Sequence, residues 1–211
     1  MRRKKSSPAR ATGTPQAAGK PLRIIGGSLR NRPIRYHGDP RTRPMKDRVR
    51  EAVFNLIGPA VRGKHAIDLF AGTGALGFEA ISRGAARATL IERHFPTAQI
   101  IRDNRAALGV QDQCRVSPGD AFLWLRQQGP AVELDDRPWL VLCSPPYDFY
   151  VDRPHQMLAL LRELVDRCPA DSLFVVESDQ RFDFDWLAEL GDWDIRVYPP
   201  AQVGLLRLEK M

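Results

Sequence analysis

The chain has 211 residues, is 43% hydrophobic and carries a net charge of +7. That suffices for one well-buried domain plus an extra arm, and no apolar run approaches the length of a membrane span. No apolar core follows the N-terminal charges as in a signal peptide, and Cys114, Cys143 and Cys168 stand too far apart for a CxxC metal site or a disulfide framework.

The charge is divided. Residues 1–50 hold 15 Lys and Arg against 2 acids, a net +13, while the remainder holds 17 against 23. A basic arm on an acidic domain suits a phosphate-rich partner. Residues 1–20 combine Arg-Arg-Lys-Lys with Ser, Pro, Ala, Gly and Thr, and predict a disordered basic tail. Residues 21–60 read as an RNA-binding hairpin followed by a docking helix. Leu22 to Ile25 and Pro33 to Tyr36 are the strand candidates, with Arg30 and Arg32 between them. Asp47 then stands as a helix cap, ahead of a stripe of Val49, Ala52, Val53, Leu56 and Ile57.

Residues 61–211 read as the main domain. Ala66 to Phe70 suits a buried strand and runs into Gly72, Gly74 and Gly77, a strand–turn–helix that brings backbone N–H groups close to a ligand. The glycines spell GxGxxG, the dinucleotide fingerprint, but Asp68 just before them would repel a pyrophosphate. It suits a cofactor with a cationic amino group, such as S-adenosylmethionine. Helix follows to about Arg83. Arg87 to Ile91 is a second strand with Glu92 at its end, where such folds hold ribose hydroxyls. A helix over Pro96 to Leu108 leads to a strand over Cys114 to Ser117, then Asp120 and a helix over Ala121 to Arg126. Residues 127–138 predict a loop. Trp139 to Cys143 is a fourth strand, and the helix over Pro154 to Arg167 turns Leu158, Leu161, Leu164 and Val165 inward. Leu173 to Glu177 is a fifth strand, and a short helix around Trp186 to Leu190 follows it. Asp194 to Tyr198 and Gly204 to Leu208 close the chain as an antiparallel pair. The alternation predicts an α/β fold with a mostly parallel sheet, helices on both faces and ligands at the carboxyl ends of the strands. Asp68, Glu92, Asp120 and Ser144 all fall at those ends. His37, His65, His94 and His155 have no ligand spacing, and Cys143 reads as a buried strand residue.

Ser144-Pro145-Pro146-Tyr147 follows the fourth strand. Two prolines remove two N–H donors, which leaves the Ser144 hydroxyl and the Pro145 carbonyl as acceptors. Such acceptors grip both hydrogens of a delocalised amine and aim its lone pair at a methyl group. Tyr147 offers a ring for a flipped-out base.

These motifs resemble the RsmD family of 16S rRNA guanine-N2 methyltransferases, from about Arg23 to the C-terminus. Three stretches carry the resemblance: Arg23-Ile-Ile-Gly-Gly with Arg43-Pro-Met-Lys-Asp-Arg-Val-Arg-Glu, Asp68 to Gly77 continued to Ser82-Arg-Gly-Ala, and Cys143-Ser-Pro-Pro-Tyr. The resemblance implies a class I, Rossmann-like methyltransferase fold. S-adenosylmethionine would be the donor, held by Asp68, Phe70, Ala71, Gly72, Thr73, Gly74, Glu92, Asp120 and Ala121. Ser144, Pro145, Pro146 and Tyr147 would form the catalytic turn, with Arg23, Arg30, Arg32, Arg43 and Arg48 on RNA. The expected partner is 16S rRNA or the small ribosomal subunit, met in the cytoplasm by a monomer that needs neither metal nor membrane. Two positions depart from the family pattern: Ser144 stands where the family has Asp or Asn, and Met45 where it has Thr. Ser-Pro-Pro-Tyr also serves cytosine N4 methylation, so transfer to another planar amine (cytosine N4, adenine N6 or a glutamine amide) stays open. So do an NAD-type oxidoreductase and a non-catalytic RNA-binding relative.

Overall fold

The structure, a computed structural model, describes residues 22–36, 44–126 and 134–208. The expected tail at 1–20, Arg43, His37 and residues 127–133 of the expected loop lie outside the described residues.

Seven strands form one sheet in the order β3-β2-β1-β4-β5-β7-β6. They are β1 (His65–Asp68), β2 (Arg87–Glu92), β3 (Cys114–Pro118), β4 (Trp139–Cys143), β5 (Leu173–Asp179), β6 (Trp193–Tyr198) and β7 (Ala201–Arg207). The first five are parallel, and β7 runs antiparallel to both β5 and β6. Side chains alternate across the strands into two apolar layers. Ala66, Leu140, Leu142 and Val175 face one layer, and Ile67, Val141, Cys143, Phe174 and Val176 face the other. Burial on both faces explains why these strands read as continuous apolar runs rather than alternating ones.

Helices cover both faces: α1 (Asp47–Ile57), α2 (Ala75–Ser82), α3 (Phe95–Leu108), α4 (Ala121–Arg126), α5 (Asp148–Asp152) and α6 (Pro154–Arg167). The chain winds outward from β1 through β2 to β3, then returns to place β4 on the other side of β1. The gap between these two directions, at the strands' carboxyl ends, is where such sheets open a crevice. Two glycines let α2 start there. Gly74 has φ 77°, in the left-handed region. A Cβ on Gly77 would come within 2.7 Å of the Leu90 side chain, so only glycine lets α2 lie this close to β2.

Several local expectations change. Asp47 is the first residue of α1 rather than its cap. Lys46 occupies the cap position without a side-chain bond, and Asp47 pairs with Arg50 at 3.0 Å. The buried face of α1 is Val49, Arg50, Val53, Phe54 and Ile57, with Ala52 and Leu56 only half-buried, because Phe54 and Arg50 reach further under the arm. In α6 the inward residues are Met157, Leu160, Leu161 and Leu164, so the stripe is turned from the one expected and Leu158 and Val165 flank it. The hairpin closes through one antiparallel bridge, Arg23 to Pro33. The helix near Trp186 is a 3-10 segment, Phe184–Leu190. α5 is too short to leave a periodic signal in the sequence.

The N-terminal arm is tied down by a buried carboxylate. Glu79 of α2, fully buried, accepts hydrogen bonds from the Ile25 and Gly26 N–H groups at 2.8 Å each and from Arg83 Nε at 2.8 Å. Arg50, also fully buried, approaches it to 3.9 Å and donates to the Arg23 carbonyl at 2.7 Å. Truncating Glu79 leaves the buried Arg50 with Asp47 as its acid partner and strips the Ile25 and Gly26 N–H groups of their acceptor. Glu79→Ala is therefore expected to lower the unfolding free energy by about 3–5 kcal/mol, measured by urea denaturation.

Candidate active site

A cavity of about 900 Å³ opens at the carboxyl ends of the strands. Phe70 and Gly72 after β1, Glu92 at the end of β2, and Asp120 and Ala121 after β3 line one side. Ser144, Pro145, Pro146 and Tyr147 after β4, with Glu177 of β5, line the other. The structure thus brings five of the expected cofactor residues and the whole catalytic turn to one space. Asp68, Ala71, Thr73 and Gly74, all buried, belong to the same strand end and turn.

Each acid has a defined local role. Glu92 accepts from the Gly72 N–H at 2.8 Å and the His94 N–H at 2.7 Å, which fixes both the glycine turn and the start of α3. Asp120 accepts from the Phe122 N–H at 2.9 Å and so caps α4. Asp68 is almost wholly buried. Its Oδ2 accepts from the Gly77 N–H at 3.2 Å, whereas Oδ1 is buried without a full hydrogen-bond partner. Burial raises the Asp68 pKa to about 7; the Gly77 N–H opposes that rise and the nearby Glu92 charge adds to it. A buried carboxylate with an unsatisfied oxygen, behind a wall bearing two further acids, calls for a cation. The amino and sulfonium groups of S-adenosylmethionine fit that demand, and Glu92 stands at the strand end suited to ribose hydroxyls.

The turn after β4 is shaped by α5. The Pro146 carbonyl accepts from the Phe149 N–H and the Tyr147 carbonyl from the Tyr150 N–H, which folds the end of the turn into α5. Phe149 lies under Arg153 and Arg93, with the guanidinium carbons 4.8 and 5.6 Å from its ring centre. It also meets Phe70 edge-on at 5.9 Å. Burial pushes the Cys143 thiol up to about 12, in keeping with an inert strand residue.

Of the expected RNA contacts, Arg30 is exposed on the hairpin loop. Arg32 donates to the Ala107 carbonyl at 2.7 Å and Arg48 to the Pro199 carbonyl at 3.0 Å, and both stay exposed. Arg23 is half-buried against Asn31 and Asp47. Arg50, at the basic start of α1, is structural. Pro44, Met45 and Lys46 reach the cavity rim, which the sequence did not foretell. Glu177 was also missed as a site residue. Its signal was available: it closes an apolar strand just as Glu92 does. Among the described residues no group of His, Cys, Asp or Glu is placed to hold a metal, and no helix is long and apolar enough to cross a membrane.

Comparison with known proteins agrees with this geometry. The family described as Conserved hypothetical protein 95 matches residues 22–200. Ribosomal RNA small subunit methyltransferase D of Escherichia coli is 44% identical over 126 residues, 60% of each chain. The structure of yhhF from Escherichia coli superposes with a TM-score of 0.69 at 30% identity, covering 90% of this chain and 99% of that one. An RNA methyltransferase from Salinibacter ruber in complex with S-adenosyl-L-homocysteine shares the fold at a TM-score of 0.57 and 19% identity, covering 80% of this chain and 95% of that one.

The raised Asp68 pKa predicts a pH signature. A carboxyl whose folded pKa exceeds its ordinary value of 3.8 adds stability that is complete below that value and is lost as pH rises through about 7. Asp68→Asn removes this titration. In the ligand-free protein it is expected to gain stability over wild type as pH rises from 4 to 8, by about 4 kcal/mol at most. Urea unfolding at several pH values measures the difference.

Proposed function

The chain belongs to the RsmD family of methyltransferases across residues 22–200, and on that footing we propose that it transfers a methyl group from S-adenosylmethionine to the exocyclic N2 amine of a guanine in 16S rRNA. The observation that carries this reading is the Ser144–Tyr147 turn facing Glu92 and Asp120 across one cavity. The proposed partner is 16S rRNA or the assembled small subunit, the setting the cytoplasm and the working form a monomer.

S-adenosylmethionine supplies an electrophilic methyl on a sulfonium. Glu92 and Asp120 would hold its ribose and base side, with Phe70, Ala71, Gly72, Thr73, Gly74 and Ala121 shaping the pocket and Asp68 supplying negative charge from behind. The Ser144 hydroxyl and Pro145 carbonyl would accept the two N–H bonds of the target amine, which favours the pyramidal geometry of attack. The Tyr147 ring would stack on the flipped base. Arg23, Arg30, Arg32, Arg43 and Arg48 would neutralise phosphates.

The decisive test incubates the protein with radiolabelled S-adenosylmethionine and small subunits from a strain lacking this modification, then maps the labelled nucleotide. N2-methylguanosine is the expected product. N4-methylcytosine would overturn the base assignment, a reading that Ser144 favours, and no labelled nucleotide would favour a non-catalytic relative. Two further outcomes are expected. Glu92→Ala should weaken S-adenosylmethionine binding by about 1–3 kcal/mol in calorimetry. Replacing Arg30 and Arg48 by Ala should flatten the salt dependence of RNA binding by about 0.7–0.9 log units for each phosphate no longer neutralised, with cofactor affinity unchanged.

A further inference from the structure

The Ser144 hydroxyl brings no charge of its own to the cavity, and the structure places a carboxylate beside it. Glu177 of β5 is almost wholly buried and lines the same cavity. The register pairs Cys143 of β4 with Val176 of β5, so Ser144 and Glu177 emerge side by side. Glu177 Oε2 accepts a hydrogen bond from the Ser144 hydroxyl, and Oε1 accepts one from the Tyr147 hydroxyl at 2.9 Å. Each carboxylate oxygen thus holds one hydroxyl of the catalytic turn. A hydroxyl that donates to a carboxylate gains electron density on its oxygen and becomes a stronger acceptor. Its lone pairs are then left for a further donor.

We propose that Glu177 is the charged member of the amine-binding site, acting through Ser144 as the terminal proton acceptor of methyl transfer. The inference rests on the proposed amine-methylating role of the cavity. The amine nitrogen uses its lone pair to form the N–CH3 bond as the C–S bond breaks, with that electron pair staying on sulfur. The methylated nitrogen, now positively charged, gives a proton to Ser144 Oγ. The Ser144 proton passes to Glu177 Oε2, leaving a neutral secondary amine, a neutral thioether and a protonated Glu177. That proton then leaves to water. Burial raises the Glu177 pKa, while the bonds from Ser144 and Tyr147 pull it back, so the carboxylate is a better proton acceptor than an exposed one yet still available. Because Glu177 reaches the substrate only through Ser144, it is a positioning residue, and both its oxygens hold the turn in place.

The test has two parts. In the protein without substrate, the carboxyl infrared band abolished by Glu177→Gln should titrate above the usual range for Glu in wild type. It should move higher still in Ser144→Ala, which removes a bond to the charged form. With labelled S-adenosylmethionine and small subunits lacking the modification, wild-type kcat/KM should rise with pH along that same titration. Glu177→Gln should lower kcat by about 100-fold or more and abolish this acidic limb. KM for the subunit and calorimetric affinity for S-adenosylmethionine should stay within about threefold of wild type, and Glu177→Asp should restore part of both rate and limb. A Glu177→Gln enzyme with wild-type kcat and pH profile overturns the proposal. So does a band unmoved by Ser144→Ala. If the wild-type label maps to an amine other than guanine N2, the substrate reading falls, while the Glu177 variants still judge the proton route on that amine.

Discussion

The Glu79 carboxylate, buried between the hairpin and α2, is the constraint on which the working shape of this protein depends. It accepts from Ile25, Gly26 and Arg83, and it faces the buried Arg50 guanidinium. Neither charge reaches water, and each is compensated by the other together with a second partner, Asp47 for Arg50 and Arg83 for Glu79. The pair couples three pieces of chain: the hairpin through Arg23 and Ile25, α1 through Arg50, and the cofactor-side helix α2 through Glu79. Pro44, Met45 and Lys46 then come to lie on the cavity rim, immediately ahead of α1. The described part of the arm is thereby held beside the cavity.

The cavity shows a second electrostatic theme. Asp68, Glu92, Asp120 and Glu177 converge from neighbouring strands on one space or its wall. Burial raises the proton affinity of Asp68 and of Glu177, and the Glu92 charge adds to that of Asp68. The sheet makes this possible because all five parallel strands end on the same side. Much of the strain is relieved locally, since Glu92, Asp120 and Glu177 each accept donors from the adjacent turn. Asp68 keeps one oxygen unsatisfied.

The two sides of the cavity are built differently. On the side of β1, β2 and β3, glycines bring backbone close and short turns are fixed by carboxylates. On the side of β4 and β5, prolines limit the backbone and the side chains of Ser144 and Tyr147 are held through Glu177. Aromatic contacts among Phe70, Phe122 and Phe149 join the two sides, so displacement of one turn is felt by the other.

The local sequence was sufficient for whatever depends on a few adjacent residues. The strand ending at Asp68, the glycine turn, Glu92 at the end of β2 and the Ser-Pro-Pro-Tyr turn were legible because glycine, proline and apolar runs act over short range. The antiparallel last pair was legible from its short connection. The tertiary structure alone decided what depends on partners distant in the chain. Arg50 looked like one more basic residue at the start of a docking helix, and is a fully buried charge set between Asp47 and Glu79. Asp68 looked like an ordinary strand-end carboxylate, and burial raises its pKa to about 7. Glu177 looked like the end of a strand, and is joined to Ser144 and Tyr147 because β4 and β5 pair in a register that sequence alone does not fix. Burial and charge pairing are properties of the assembled sheet, in which residues far apart in sequence share one low-dielectric space.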